Sequence, residues 1–208
     1  MKLGAVLLAA GLSRRWQESQ GAFEGRCENK LLAAFNGRPM VCYALDALAM
    51  LGTERTAVVT ANGQIAALAL DAGAQVVHNA EPQRGIGHSI ALGAEAMRGM
   101  DALLLMAADQ PLLTGESLCR LAKAYAESEK GLACLRDETH WGNPAIFGAR
   151  YFETLRELDG DKGAKRILRA YEDDLLIVPC AHPHELEDAD DPETLMRISR
   201  RLSETRRG

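Results

Sequence analysis

Short, largely apolar runs constrain the fold of this chain more than any other feature of its sequence. Leu3–Ala9 and Asp101–Ala108 are the clearest, and each has the pattern of a central parallel strand that is covered on both faces. Shorter runs at Thr56–Thr60 and Gln75–His78 also predict strands, and segments with apolar residues at helical spacing lie between them. This alternation predicts right-handed βαβ units and an open parallel sheet.

The alternation of strands and helices becomes less regular in the last third of the chain. Leu132–Leu135 and Ala145–Phe147 are predicted strands that flank the turn-rich segment Asp137–Pro144. Leu175–Val178 is the final predicted strand. No stretch is rich enough in Pro, Gly or Ser to divide the chain, and 208 residues suit one domain. We therefore predict a single α/β domain over residues 1–208, with a doubly wound, mostly parallel sheet.

Composition limits the partners that this chain is expected to have. A formal net charge of -5 gives no electrostatic basis for binding nucleic acid. The five cysteines are odd in number and lack C-x-x-C spacing, which argues against a disulfide framework or a zinc site. This use of cysteine favours a reducing compartment. No apolar run approaches the ~20 residues of a membrane span. We expect a cytoplasmic protein with no nucleic-acid or membrane partner.

The first predicted strand leads directly into a loop of small and basic residues, Ala9–Arg15. Gly11 has no Cβ, so a ligand can approach the backbone closely at this position. Successive backbone N–H groups in such a turn form a cradle for anions, and Arg15 adds a full positive charge. The loop therefore predicts a phosphate-binding turn.

Two further features belong at the same edge of the predicted sheet, because ligands bind beyond the carboxyl ends of strands in open α/β sheets. One is the glycine-rich loop Gly85–Ser89, in which Ser89 is a predicted N-cap and the helix N-terminus suits a polar or anionic ligand. The other is Asp109, which follows the most hydrophobic strand. A carboxylate at this position suits Mg²⁺, and the alternative is a turn aspartate before Pro111.

Other polar residues give weaker signals. Lys30 is a candidate for neutralising phosphate charge, although a lysine in this context is more often simply exposed. Asp190 with Glu193 fits a capping box at a helix start, whereas Asp188 has no capping role and is a candidate second metal ligand. Residues 16–29 show no periodicity and predict an irregular excursion. The chain lacks the third glycine of the dinucleotide fingerprint and lacks a P-loop motif.

These motifs together resemble the signature of the MobA-like nucleotidyltransferases. The resemblance covers essentially the whole chain, and within the family it is greatest to the molybdenum cofactor (molybdopterin) cytidylyltransferases, which also serve enzymes of the xanthine dehydrogenase type. The segments that carry it are Leu8–Arg15, Asn29–Leu32, Gly37–Pro39, Gly85–Gly93, Ala108–Leu113, Gly142–Phe147, Gly160–Lys165 and Asp188–Pro192. Gln17 departs from the family pattern, which has glycine there, and the connection from Arg15 to Lys30 is longer than usual.

The resemblance implies a Rossmann-like nucleotidyltransferase fold and transfer of CMP from CTP to the phosphate of molybdopterin, with Mg²⁺ present and pyrophosphate released. It implies catalytic roles for Arg15, Lys30 and Asp109, and Mg²⁺ binding by Asp109, with Asp188 as the candidate second metal ligand. The implied nucleotide-binding residues are Leu8, Ala9, Ala10, Gly11, Ser13, Gly87, Ser89 and Gly93. The implied acceptor-binding residues are Gly142, Asn143, Pro144, Asp161 and Lys162. Residues 1–115 would bind the nucleotide, and residues 130–190 would form the acceptor side.

The resemblance also bears on the choice of nucleotide. Ala9-Ala10-Gly11 is typical of the cytidylyl branch, whereas the guanylyl branch tends to have two glycines at the start of this loop. Two alternatives remain open. One is a guanylyltransferase or a sugar-phosphate nucleotidyltransferase on the same fold. The other is a non-catalytic chaperone that binds molybdenum cofactor and inserts it into a molybdoenzyme.

Overall fold

The apolar runs of the sequence form the centre of a seven-stranded sheet. Residues 1–19 and 27–205 are described by the structure, a computed structural model of the chain. The strands, in chain order, are β1 (Leu3–Leu8), β2 (Ala34–Phe35), β3 (Arg38–Pro39), β4 (Arg55–Thr60), β5 (Gln75–His78), β6 (Ala102–Ala107), β7 (Leu132–Arg136), β8 (Trp141–Gly148) and β9 (Leu175–Pro179). Strands β2 and β3 form a separate antiparallel ribbon, and the other seven form the main sheet.

The main sheet is mostly parallel, as the alternation of strands and helices predicts. Its order is β5-β4-β1-β6-β8-β7-β9, and within this sheet β8 runs antiparallel to both of its neighbours. Leu8, the last residue of β1, pairs with Val59 in β4 and with Ala107 in β6. Three adjacent parallel strands therefore finish at the same edge of the sheet, and the loops that follow them meet there.

Helices cover both faces of the sheet. The α-helices are α1 (Arg14–Ser19), α2 (Met40–Leu51), α3 (Gly63–Asp71), α4 (Ile86–Ala96), α5 (Gly115–Ala126), α6 (Phe152–Arg156), α7 (Lys165–Ala170) and α8 (Pro192–Thr205). Short 3-10 helices occupy Lys30–Leu32, Pro82–Arg84, Ala149–Tyr151 and Glu172–Asp174. Across the two described ranges, no helix is both long enough and apolar enough to cross a membrane.

The core has two layers because successive side chains of a strand point to opposite faces. Leu7 of β1 belongs to the layer beneath α2, α3, α5 and α8, whereas its neighbour Val6 belongs to the layer beneath α4, α6 and α7. Both side chains are fully buried. The prediction of a doubly wound α/β fold is therefore confirmed.

One connecting segment is more ordered than its sequence suggests. The segment 16–29 was expected to be irregular, but its first residues continue helix α1. The Trp16 side chain is buried, and its indole Nε1 donates a hydrogen bond to the carbonyl oxygen of Cys27 at 3.0 Å. This contact ties α1 to the returning chain. Residues 20–26, the middle of the predicted excursion, lie outside the described residues.

A second difference concerns the segment 137–144, which was expected to consist of turns. Strand β8 begins inside this segment, at Trp141, because its pairing with Arg136 of β7 continues past an irregularity in the register. Gly142 adopts a φ of 95°, in the left-handed region that favours glycine. The antiparallel hairpin of β7 and β8 therefore extends to the edge at which β1 and β6 end.

Candidate active site

A cavity of about 430 Å³ lies beyond the ends of β1 and β6. It is bounded by the first loop (Ala9–Arg15), the returning segment at Lys30 and the second loop (Gly85–Ser89). The segments after β6 and before α8 complete its wall. The lining residues are Leu8, Ala10, Gly11, Leu12, Ser13, Arg14, Arg15, Trp16, Lys30, Leu31, Pro82, Gln83, Gly85, Ile86, Ser89, Ala107, Ala108, Asp109, Asp161 and Asp190. The structure thus brings together the first loop, the second loop and Asp109, which are distant in sequence.

The first loop is held in an unusual backbone conformation at the wall of the cavity. Ser13 has a φ of 53°, and its Oγ accepts a hydrogen bond from the Lys30 backbone N–H at 3.2 Å. A Cβ atom placed on Gly11 would have no neighbour within 4 Å, so Gly11 is open to the cavity. Gln17 Nε2 donates to the Glu28 carbonyl at 2.9 Å and so ties α1 to the returning segment. These contacts leave the backbone of Gly11 accessible to a ligand.

Four charged side chains form a linked group at one end of the cavity. The Lys30 Nζ donates to Asp109 Oδ2 at 2.6 Å and to Asp190 Oδ1 at 2.7 Å. The other oxygen of Asp190 accepts from Arg15 Nη1 at 3.2 Å. The Arg15 side chain is 82% exposed and the Lys30 side chain 14% exposed. Lys30 is therefore the fixed cation of the group, and Arg15 is the one that solvent reaches freely.

Opposing effects determine the pKa values within this group. Burial lowers the pKa of Lys30, but the charges and hydrogen bonds of Asp109 and Asp190 outweigh this effect and raise the pKa above its ordinary value. Burial raises the pKa of Asp190, but Lys30 and Arg15 outweigh that effect and lower it. Lys30 is therefore a cation and Asp190 an anion at neutral pH.

Of the two candidate metal ligands, Asp109 belongs to this group and Asp188 lies beside it. Asp109 Oδ1 is buried and has no hydrogen-bond partner in the described part of the chain. The pKa of Asp188 is raised to about 6, first by burial and then by the negative charge of Asp109. Gln110 Nε2 holds Asp188 in place by donating to its Oδ1 at 3.0 Å. A buried carboxylate oxygen without a partner, beside a second carboxylate, fits a divalent cation that prefers oxygen ligands.

The glycines of the second loop allow it to pack closely against neighbouring segments, and Gly85 also lines the cavity. The Gly87 N–H donates to the Gly160 carbonyl at 2.8 Å. A Cβ on Gly85 or on Gly87 would lie 2.6 Å or 2.8 Å from the backbone of residues 159–160. Gly93 faces the sheet, since a Cβ there would lie 2.5 Å from Val6 Cγ1. The second loop therefore packs closely against the segment 159–161, and this packing places Asp161 in the cavity wall.

The predicted acceptor-side residues lie near the same edge but mostly outside the cavity wall. Asn143 Oδ1 accepts from the Ala107 N–H at 3.1 Å, where β6 ends. Asp161 is part of the wall, whereas Gly142, Asn143, Pro144 and Lys162 are not. Four residues predicted to bind the nucleotide or the metal also lie outside the cavity wall, namely Ala9, Gly87, Gly93 and Asp188.

A cationic cluster adjoins the acceptor-side residues. Lys165 Nζ lies 4.4 Å from the centre of the Trp141 ring, and the Arg169 guanidinium lies 6.0 Å from it. Neither cation forms an ion pair with a carboxylate in residues 1–19 and 27–205. This cluster was not identified from the sequence, in which three residues 24 and 4 positions apart give no common signal.

Two predicted caps are wrong. Helix α4 begins at Ile86, so Ser89 lies in its second turn, and the N-cap position is occupied by Gly85. Asp190 does not cap α8, because Asp191 accepts the hydrogen bond from the Thr194 N–H at 2.8 Å. Both predicted caps are polar side chains of the cavity instead.

Within residues 1–19 and 27–205, no group of three or more His, Cys, Asp and Glu side chains is arranged to hold a metal ion. A Mg²⁺ site needs fewer protein ligands, because this ion keeps several waters and binds substrate phosphates.

Comparison with known proteins places this chain in a family. Residues 5–175 match the MobA-like NTP transferase domain. The purine catabolism protein PucB of Bacillus subtilis is 28% identical over 203 residues, which cover 95% of this chain and 96% of PucB. The bifunctional protein GlmU of Rhodospirillum rubrum is 33% identical over 129 residues, 62% of this chain. The alignment spans 27% of that GlmU, and 38% of the GlmU from an Azoarcus species.

Solved structures show the same fold. A Methanothermobacter nucleotidyl transferase superposes with a TM-score of 0.83 at 22% identity, over 98% of this chain and 99% of the other. Rv0371c of Mycobacterium tuberculosis, in complex with manganese, superposes with a TM-score of 0.73 at 21% identity, over 96% and 99% of the two chains. Because the family match covers most of its length, this chain belongs to the MobA-like NTP transferase domain family.

Proposed function

We propose that this protein transfers CMP from CTP to the phosphate of molybdopterin, in the molybdenum cofactor, and releases pyrophosphate with Mg²⁺ bound. The observation that carries the proposal is the linked group of Lys30, Asp109, Asp190 and Arg15 beside the open backbone of Gly11. A triphosphate requires cations and an accessible backbone, and this group supplies both. Its metal ion requires a free oxygen ligand, and Asp109 Oδ1 is a buried carboxylate oxygen without a hydrogen bond from any described residue.

Asp109 and Asp188 would hold the metal ion, through Asp109 Oδ1 and the carboxylate that Gln110 orients. When bound, Mg²⁺ would neutralise charge on the phosphate oxygens and so stabilise the transition state. The chemistry of these oxygen ligands supports Mg²⁺, and so does the manganese complex of Rv0371c for a divalent ion of similar preference.

The reaction needs no general base from the protein. A phosphate monoester has its second pKa near ~6, so the acceptor phosphate is already a dianion for the most part at neutral pH. One of its oxygens attacks the α-phosphorus of CTP, and the bond from that phosphorus to the bridging oxygen breaks. The electron pair leaves with pyrophosphate. Lys30 and Arg15 neutralise the charge that develops, and the first loop orients the phosphates.

The choice of acceptor is supported by the acceptor side and by one relative. Trp141, Lys165 and Arg169 present an aromatic ring with two cations that have no carboxylate partner among the described residues, which suits a phosphorylated acceptor with a planar ring system. PucB, which aligns over almost its whole length, is named for purine catabolism. Xanthine is a purine, so a recipient enzyme of the xanthine dehydrogenase type agrees with that name. The Ala9-Ala10 pair supports CTP by resemblance to the cytidylyl branch.

The test is release of pyrophosphate from CTP, GTP or ATP in the presence of Mg²⁺ and molybdenum cofactor. We expect release with CTP alone, and none without the acceptor. Release with GTP would contradict the assignment of CTP as the nucleotide but agree with the mechanism. Release with a sugar phosphate in place of the cofactor would contradict the assignment of molybdopterin as the acceptor. Tight binding of the cofactor without turnover of any nucleotide would indicate an insertion chaperone. The matched variant Asp109→Asn is the control, because release by a contaminating enzyme would persist in that preparation.

A further inference from the structure

A buried carboxylate outside the cavity wall, Asp137, lies at the start of the turn between β7 and β8. Its side chain is 2% exposed. Asp137 Oδ1 accepts hydrogen bonds from the backbone N–H groups of Thr139 at 2.8 Å and of His140 at 2.7 Å, which close the turn. Its other oxygen, Oδ2, accepts from the Leu186 N–H at 3.3 Å, 49 residues away. One side chain therefore joins the hairpin of β7 and β8 to the segment that precedes α8.

Both oxygens of Asp137 are needed for this connection. Burial raises the pKa of Asp137, but the N–H groups of His140, Thr139 and Leu186 outweigh burial and lower the pKa below its ordinary value. Asp137 is therefore an anion at neutral pH. A carboxylate accepts hydrogen bonds on both sides, whereas an amide of the same size accepts on one side and donates on the other.

The peptide groups on either side of Leu186 are held at both ends. The Leu186 N–H donates to Asp137, and the Leu186 carbonyl accepts from Gln110 Nε2 at 3.2 Å. The same Gln110 Nε2 donates to Asp188 Oδ1 at 3.0 Å. The backbone at Leu186 and the carboxylate of Asp188 therefore share one anchor, and Asp137 holds that backbone from the other side.

The turn before Leu186 is supported independently of Asp137. Glu185 is 1% exposed, and its carboxylate accepts from the Thr114 N–H at 3.2 Å and from the His182 N–H at 2.9 Å. His184 adopts a φ of 63°, a conformation that a residue with a side chain keeps only where its surroundings hold it. Loss of the bond between Asp137 and Leu186 should therefore leave the turn in place and loosen the backbone that follows it.

We infer that Asp137 is a positioning residue of the metal site, because its bond to the Leu186 N–H holds the backbone two residues before Asp188 and so fixes the place of that carboxylate. The inference rests on the proposed function, in which Asp109 and Asp188 hold the divalent ion. Loss of this bond weakens binding of the ion without removing a ligand, since binding must then also order the carboxylate.

The experiment titrates Asp137→Asn with Mn²⁺, without nucleotide, and follows the free ion by electron paramagnetic resonance. The amide oxygen of this variant still accepts from Thr139 and His140, but its Nδ2 opposes the Leu186 N–H. We expect Mn²⁺ to bind about tenfold more weakly than to the wild type. In the pyrophosphate assay the Mg²⁺ concentration for half-maximal rate should rise by a similar factor, whereas kcat at saturating Mg²⁺ should stay within about threefold.

The matched control is Asp174→Asn, because Asp174 also joins distant segments by accepting from a backbone group, the Gly131 N–H at 3.0 Å. Both variants should melt at a lower temperature than the wild type, and only Asp137→Asn should bind Mn²⁺ more weakly. If Asp137→Asn does not fold, Asp137→Ser decides the matter, since its hydroxyl can accept within the turn but leaves Leu186 without an acceptor.

Unchanged Mn²⁺ affinity in the folded variant at position 137 overturns the inference, and so does an equal loss of affinity in Asp174→Asn. A fall in kcat that excess Mg²⁺ does not restore also overturns it, because the role would then be general stability. Asp109→Asn separates these outcomes from a failure of the proposed function. If Asp109→Asn binds Mn²⁺ as well as the wild type does, or if the wild type binds none, the metal site itself is contradicted.

Discussion

Replacing Lys30 by methionine should destabilise the protein and abolish its activity, because one ammonium group serves two carboxylates. Lys30→Met keeps the length of the side chain and removes the charge. Asp109 and Asp190 would then lose the partner that contacts them at 2.6 Å and 2.7 Å. Both carboxylates would remain close to each other and to a third, Asp188, whose pKa already responds to the Asp109 charge.

The size of the effect follows from how far the group is buried. An exposed ion pair contributes about 0–1 kcal/mol, and truncating one partner of a fully buried pair costs about 3–5 kcal/mol. Lys30 is 14% exposed, Asp109 21% and Asp190 43%, so this group lies between those limits. We expect the free energy of unfolding to fall by about 2–3 kcal/mol, which lowers the melting temperature by about 4–12 °C.

Urea unfolding at neutral pH and pyrophosphate release measure the two consequences. The control is Lys123→Met, since the Lys123 side chain is 76% exposed and lies 4.0 Å from Glu127. That variant should change the free energy of unfolding by less than about 0.5 kcal/mol and leave turnover unchanged. The reasoning would be refuted if Lys30→Met were as stable as the control, or if it retained wild-type turnover.

Three further predictions follow from the same structure. Asp109→Asn should remain folded by circular dichroism and lose pyrophosphate release at least about 100-fold, and near-normal turnover would remove Asp109 from the metal site. Gly93→Ala should lower the free energy of unfolding by about 1–3 kcal/mol in urea, because its Cβ would lie 2.5 Å from Val6 Cγ1; unchanged stability would contradict the tight packing. Burial raises the pKa of Asp174, but hydrogen bonds, first from Tyr151, outweigh burial and lower it. Its contribution to stability is therefore present above about pH 4 and lost as the pH falls through the folded-state pKa, so Asp174→Asn should lose less stability than the wild type between about pH 6 and pH 3. An equal loss would show that Asp174 contributes nothing to acid sensitivity.

The parts of the fold that the sequence predicts are those with a local cause. The apolar run that becomes β6 must be covered on both faces, and the carboxyl ends of parallel strands share one edge, so Asp109 could be assigned to the site. The first loop could be assigned for the same reason.

The parts that could not be predicted depend on contacts between distant segments. Asp190 has the sequence context of a helix cap, yet it binds Lys30, which is 160 residues away. The Gly87 N–H in the first turn of α4 donates to the Gly160 carbonyl, and no local pattern contains that partner. The Trp16 indole donates to the carbonyl of Cys27, which lies beyond the end of its own helix. Local preference does not encode such tertiary hydrogen bonds.

The contact between Lys30 and Asp190 also sets an order of events during synthesis of the chain. A ribosome adds about 5–20 residues per second, so the 160 residues between them take about 8–32 s to make. The first strands and the loop Ala9–Arg15 emerge well before Asp190, which binds both Lys30 and Arg15. The linked group of charged side chains is therefore incomplete throughout most of translation, and it forms only when the segment that precedes α8 docks against the first loop.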